Sequence, residues 1–183
     1  MAKVLVPLAN GCEELEAVTI IDLLRRAEVE VIVAGLEEGP VKASRGTVLV
    51  PDTSLNKVQS EKFDMVVLPG GLNGANHLAS NSTLAAILKS ASLREAYIGA
   101  ICAAPKVLAQ QGYLDHRKAT AYPGILSHTL YPEILISEQP LVVDRNIITS
   151  KGPGTAMVFA LKLVEILCGH DMRETIYSQL MSA

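Results

Sequence analysis

The sequence predicts an α/β fold with a mostly parallel sheet and helices on both faces. Three observations lead there. Short apolar segments alternate with segments of helical periodicity along the chain, the pattern of right-handed βαβ units. The strand-like segments are continuous apolar runs, as strands buried on both faces should be. Hydrophobic residues make up 49% while aromatics are only 4% with no Trp, so the core is built from Val, Ile, Leu and Ala. At 183 residues, with no repeat, linker or low-complexity tract, residues 1–183 read as a single domain.

The first strand is Lys3-Val-Leu-Val-Pro-Leu-Ala9. Glu13 to Ala27 has helical periodicity and closes on Arg25-Arg26, which suit the negative end of a helix dipole. Val29 to Gly35 is a second strand, and Gly39 to Pro51 reads as a hairpin-like excursion around Ser44-Arg45-Gly46. Asp64 to Pro69 is a third strand, stopped by Gly70-Gly71. Asn81 to Ala91 is a helix with Asn81 or Ser82 as its cap. Ala96 to Ile101 is a fourth strand, followed at once by Cys102 and a helix to Gln111. Lys118 to Tyr122 and Leu141 to Ser150 carry further strands. Thr155 to Cys168 is an apolar helix with Pro153 at its start.

Several function classes drop out. The net charge of −3 gives no electrostatic reason to hold nucleic acid or an anionic membrane. The uncharged stretch from Met65 to Leu88 is broken by Pro69, Gly70, Gly71 and Gly74, so it is no membrane span. His77, His116, His128 and His170 lack metal-site spacing, no Cys-x-x-Cys occurs, and no glycine-rich nucleotide loop follows the first strand; no metal or cofactor is expected. Three cysteines without an apolar leader read as a reduced, cytoplasmic protein. Arg25, Arg26 and the excursion around Arg45 find no obvious partner within one chain.

In open parallel sheets, ligands bind beyond the C-terminal strand ends. Three post-strand segments should therefore converge: Asn10-Gly11-Cys12-Glu13-Glu14-Leu15-Glu16, Gly70-Gly71, and Cys102-Ala103-Ala104. Cys102 sits at a strand-to-helix junction among small residues, like a nucleophile elbow without its usual glycines. The helix start should ease loss of the thiol proton. The N–H groups of Gly70, Gly71 and Ala103 are candidates for an oxyanion hole. Glu13 and Glu14 read as dipole complements, whereas Glu16 falls on the apolar stripe with Ile20, Leu23, Leu24 and Ala27. A carboxyl there is desolvated, keeps its proton, and can serve a thiol at Cys102. Cys12 and Cys168 read as fillers.

At these residues the chain resembles the ThiJ/PfpI superfamily, closest to the Parkinson-associated protein deglycase branch and its bacterial relatives. The resemblance rests on Ala9-Asn-Gly-Cys-Glu-Glu-Leu-Glu-Ala17, Asp22-Leu-Leu-Arg-Arg-Ala27, Val33-Ala-Gly-Leu36, Ser44-Arg45, Val66-Val-Leu-Pro-Gly-Gly71, Ala100-Ile-Cys-Ala-Ala-Pro105 and Thr149-Ser-Lys-Gly-Pro-Gly-Thr155. It implies a flavodoxin-like, doubly wound sheet and a homodimer. It also implies a reactive cysteine at Cys102, a partner carboxyl at Glu16, and oxyanion backbone at Gly70, Gly71 and Ala103. Arg45 and Pro153 would lie near the dimer interface and the neighbouring subunit's pocket.

The resemblance implies cofactor-free, low-turnover glyoxalase or deglycase chemistry on methylglyoxal or glyoxal and on glycated protein or nucleotides, in oxidative or carbonyl stress. The alternative it carries is a non-enzymatic redox sensor or chaperone that uses oxidation of Cys102. Two departures matter. The protease branch has a His directly after the Cys, where this chain has Ala103, which argues against a peptidase. The deglycase branch often has a His before the Pro of Thr120-Ala121-Tyr122-Pro123, where this chain has Tyr122; His128 lies six residues on. A glutamine amidotransferase would need a His and a Glu near the chain end, and His170-Asp171-Met172 does not fit.

Overall fold

A computed structural model describes residues 1–181 of the chain. The N-terminal half runs β1 (Lys3–Leu8), α1 (Glu14–Arg26), β2 (Glu30–Gly35), β3 (Val41–Lys42), β4 (Val48–Leu49), β5 (Thr53–Ser54), β6 (Met65–Leu68), α2 (Leu72–Ser80) and α3 (Ser82–Leu93). The rest is β7 (Tyr97–Ile101), α4 (Pro105–Gln110), β8 (Lys118–Ala119), β9 (Leu135–Ile136), β10 (Leu141–Asp144), β11 (Ile147–Ser150), α5 (Ala156–Cys168) and α6 (His170–Gln179). Seven strands form the central sheet in the order β10-β11-β7-β6-β1-β2-β5. Every pairing in it is parallel except β10 with β11. This is the flavodoxin-like, doubly wound arrangement, with its topological switch between β1 and β6.

The strands bury both of their faces. On β1, Leu5 packs with Val66, Leu84, Leu88 and Leu108 beneath α3 and α4. Val4, Val6 and Leu8 point the other way and pack with Ile20, Leu24, Phe159 and Leu163 of α1 and α5. Side chains alternate across a strand, so a run apolar at every position is what two covered faces require.

Most predicted elements stand where the periodicity put them, and the excursion at 39–51 is the antiparallel hairpin β3–β4, pairing Val41 with Leu49. Asn81 caps α3, its Oδ1 accepting the Leu84 N–H across 2.8 Å. Three differences are physical. Helix α2 was not expected, because Asn73, Gly74 and Asn76 are poor helix formers. It forms because Ala75 and Leu78 bury an apolar edge, and Gly74 lets the helix cross the backbone of Cys12, where a Cβ would lie 2.7 Å from Cys12 Cα. Helix α6 was also not expected; its sequence is mostly polar, and Ile176 alone in it is fully buried. Third, Arg25 and Arg26 do have partners in their own chain. Arg25 pairs with Asp52 across 2.8 Å and Arg26 with Asp22 across 2.7 Å, so these two arginines give no argument for a dimer. Among the described residues no helix is long and apolar enough to cross a membrane.

Candidate active site

Strands β1, β6 and β7 are parallel neighbours, so their C-terminal ends open on one side of the sheet. The three segments that leave them meet there. At the end of β7, Cys102 adopts φ +62°, a left-handed conformation uncommon for a residue with a side chain. Its neighbours hold it: the Cys102 N–H donates to Ser150 O across 2.9 Å, and Cys102 O accepts the Tyr122 N–H across 2.9 Å. The sharp turn projects the side chain out of the strand line, and α4 begins three residues later at Pro105.

Glu16, in the first turn of α1, has no exposed surface. Its stripe position turns it under the sheet end, where its Oε2 accepts the Gly70 N–H across 2.8 Å. Its Oε1 is buried and has no hydrogen-bond partner among the described residues. The Cys102 thiol lies against the same carboxyl. Burial pushes Glu16 up to about 7, opposed by the Gly70 N–H and the Cys102 thiol. Burial, then the negative charge of Glu16, push the Cys102 thiol up to about 12, opposed by the backbone N–H groups of Gly71 and Ala103. The expectation that a helix start eases loss of the thiol proton is therefore corrected: α4 has only six residues, and burial beside a carboxyl outweighs it. Each group, when ionised, disfavours ionisation of the other, so the pair holds at most one negative charge.

The two glycines divide their work. Gly70 spends its N–H on Glu16, which removes it from the expected oxyanion set. Gly71 and Ala103 direct theirs at the Cys102 sulfur. Gly71 has φ +85°, and a Cβ there would lie 2.2 Å from Gly11 O, so no other residue fits.

A cleft of about 760 Å³ opens over the sulfur. Arg45, Tyr122 and Pro153 line it beside Cys102, Ala103 and Gly71. The Tyr122 ring packs on the Gly152 backbone: a Cβ on Gly152 would lie 3.2 Å from Tyr122 Cδ2 and 3.9 Å from Cys102 Sγ. His128 is exposed and is not among the cleft-lining residues. Leu72, Asn73 and Ile125 also line the cleft; the first two lie on the unforeseen helix α2, and a Gly-Gly followed by Leu72, Ala75 and Leu78 was the signal for it.

Glu14 is more than a dipole complement. It accepts the Arg45 N–H across 3.0 Å and the Ser44 hydroxyl across 3.0 Å, tying the β3–β4 hairpin to α1 and setting Arg45 at the cleft. Partial burial works upward on its carboxyl, but its own backbone N–H with those of Arg45 and Thr47 and the Ser44 hydroxyl outweigh it and bring Glu14 down to about 2. Cys12 is buried and Cys168 half-buried, and neither lines the cleft. Among the described residues no cluster of His, Cys, Asp and Glu is arranged to hold a metal ion.

Comparison with known proteins places the chain among its relatives. The model of the family described as DJ-1/PfpI matches residues 2–166. "Protein dj-1beta" of Drosophila melanogaster is 44% identical over 180 residues, covering 98% of this chain and 96% of its own. A Caenorhabditis elegans protein named glutathione-independent glyoxalase DJR-1.2 is 36% identical over 182 residues, covering 100% and 96%. Among solved structures, oxidized DJ-1 of Toxoplasma gondii superposes with a TM-score of 0.95 at 40% identity, covering both chains completely.

Proposed function

This chain belongs to the DJ-1/PfpI family, and from that premise we propose a cysteine-dependent, cofactor-free glyoxalase or deglycase that acts on methylglyoxal, glyoxal or their adducts, in defence against carbonyl stress. One observation carries the reading. A thiol, a buried carboxyl that binds a proton near neutrality, and two backbone N–H groups meet at the floor of an open cleft. The relative named a glyoxalase supports the reaction class.

The steps follow from the residues. Glu16 as carboxylate takes the thiol proton, and the Cys102 sulfur adds to the aldehyde carbon. The Gly71 and Ala103 N–H groups hold the oxygen that becomes anionic, and Glu16 returns the proton to give a hemithioacetal. Glu16 then removes the hydrogen from that carbon and delivers it to the adjacent carbonyl carbon, which leaves a 2-hydroxyacyl thioester. Water cleaves the thioester and frees the thiol. A 2-oxoaldehyde plus water becomes a 2-hydroxy acid; one carbon is oxidised as its neighbour is reduced, and no outside oxidant enters. The test is formation of lactate from methylglyoxal by the native protein and by Cys102→Ser. Lactate from the native protein alone is expected, and equal lactate from both removes Cys102 from the reaction.

A sensor reading is favoured by the same donors. The Gly71 and Ala103 N–H groups and a protonated Glu16 also suit the oxygens of an oxidised Cys102. We further propose a homodimer built on α1, α5 and the β3–β4 hairpin. Leu15, Val18, Val48, Val50, Met157 and Val158 leave apolar surface exposed on these elements. Light scattering should give twice the chain mass at micromolar concentration. The cysteines are all free among the described residues, which supports a reducing, cytoplasmic setting.

A further inference from the structure

The cleft over Cys102 is much larger than free methylglyoxal or glyoxal needs. Its volume is about 760 Å³, whereas a three-carbon dicarbonyl displaces no more than about four water volumes of ~30 Å³ each. Its wall is also not polar. Leu72, Tyr122, Pro123, Ile125 and Pro153 give it its apolar surface; the polar residues are Glu13, Ser44 and Arg45 on the hairpin side and Asn73 beside Leu72. Leu72 is 59% exposed and Tyr122 52%, so both hold apolar surface in water at the mouth of the cleft. The Tyr122 ring is fixed against Gly152, close to the sulfur, and is a preformed flat wall.

We propose that the cleft selects carbonyl compounds whose second substituent is apolar and of about phenyl size; within the glyoxalase reading, on which the substrate assignment rests, these are aryl- or alkyl-substituted 2-oxoaldehydes. The aldehyde carbon reaches Cys102 while the substituent lies along Leu72, Tyr122 and Ile125 and removes their apolar surface from water. The bond changes are those written above, with phenyl in place of methyl: phenylglyoxal plus water gives mandelate. One methylene in an apolar pocket is worth on the order of 10-fold in kcat/KM, so a phenyl group should gain at least that much over methyl.

The test has two arms. In the first, kcat/KM is measured for phenylglyoxal and methylglyoxal with the native protein and with Leu72→Asn, which is tolerated because Leu72 is on the surface of α2. A phenylglyoxal preference of at least ~10-fold is expected, and Leu72→Asn should shrink it. In the second, the rate of Cys102 alkylation by 2-bromoacetophenone and by iodoacetamide is read by peptide mass, each rate divided by that for free N-acetylcysteine. The aryl reagent should show the larger normalised rate in the native protein and lose most of that advantage in Leu72→Asn. No aryl advantage in alkylation overturns the cleft assignment. Turnover of both dicarbonyls without a phenyl preference overturns the substrate class and leaves the glyoxalase reading standing. An aryl advantage in alkylation with no turnover of either dicarbonyl overturns the glyoxalase reading and upholds the selectivity of the cleft.

Discussion

Gly70 and Cys102 touch so closely that a single added carbon would separate the thiol from its carboxyl. A Cβ on Gly70 would lie 2.5 Å from Cys102 Cβ, 2.6 Å from Glu16 Oε2 and 2.9 Å from Ile101 O. The same residue's N–H holds Glu16 across 2.8 Å. The glycine at the end of β6 thus does two things: it leaves room for the thiol and it orients the acid. Its part in the site is steric and structural.

Gly70→Ala should therefore fold with a loss of about 1–3 kcal/mol, the usual cost of overpacking a filled interior. It should lose most dicarbonyl turnover, because Ile101 O is backbone and cannot yield, so the thiol and carboxyl must. Thermal melts and methylglyoxal kinetics on the same preparation check both. Full turnover in Gly70→Ala would mean that contact between Cys102 and Glu16 is not needed.

The buried carboxyl should make stability depend on pH. Glu16 has its folded pKa raised from 4.5 to about 7, so the folded chain binds the proton more tightly than the unfolded one. The stabilisation from this proton is complete below about pH 4.5 and is lost as pH rises through about 7. The full change is on the order of 3 kcal/mol, since one pKa unit is about 1.4 kcal/mol. Glu16→Gln cannot titrate and should lack this fall. Urea unfolding at intervals from pH 4.5 to 8 should show the native protein losing stability relative to Glu16→Gln across that window. Parallel curves would place the Glu16 pKa at its ordinary value.

Those two cases show what the sequence carried and what it withheld. The apolar stripe of α1 separated Glu16 from Glu13 and Glu14, because helical periodicity fixes which residue faces the sheet. Strand order by alternation brought Gly71, Cys102 and Glu16 to one side of the sheet. Which glycine would donate to which acceptor was not legible, because Gly70 and Glu16 are 54 residues apart and meet only through packing. The same holds for Arg25 and Asp52, 27 residues apart, whose pairing removed one argument for a dimer. The rise of the Cys102 pKa comes from burial and from the Glu16 charge, both tertiary, whereas a helix start is local and was the part that could be read. Helix α2 depended on Gly74 fitting over Cys12, which propensity scores as a fault.

Mild peroxide should oxidise Cys102 before the other two cysteines. Access decides this, since burial pushes the Cys12 thiol up to about 11 and that of Cys102 further, to about 12; Cys12 is 1% exposed and closed to the reagent. Burial also raises Cys168. Cys102 faces the open cleft, and two backbone N–H groups favour its anion once Glu16 holds the proton. Oxidation follows thiolate character and access together. Peptide mass spectrometry after graded peroxide reads the order directly, and oxygen on Cys12 or Cys168 first would overturn it.

Tyr122 tests how much of the chemistry rests on Glu16 alone. Its ring packs on Gly152 near the Cys102 sulfur, and its N–H is bonded to Cys102 O, so the backbone of 122 is fixed to the reacting residue. A phenol there can donate a hydrogen bond but does not shuttle protons as an imidazole does. An imidazole titrates near 6.5 and can carry a proton in either direction. Placed by the same backbone bond, it would stand over the cleft beside the sulfur and relieve Glu16 of one proton transfer. A positioned acid–base group is commonly worth ~10²–10⁴ in rate; with Glu16 already present, the gain should fall at or below the lower end. Tyr122→His is therefore expected to raise kcat for methylglyoxal by about 10-fold or more. Its melting temperature should stay near that of the native protein, since residue 122 is half exposed. A slower or unchanged enzyme would show that proton movement is not limiting, and that the tyrosine acts in this cleft only as a wall.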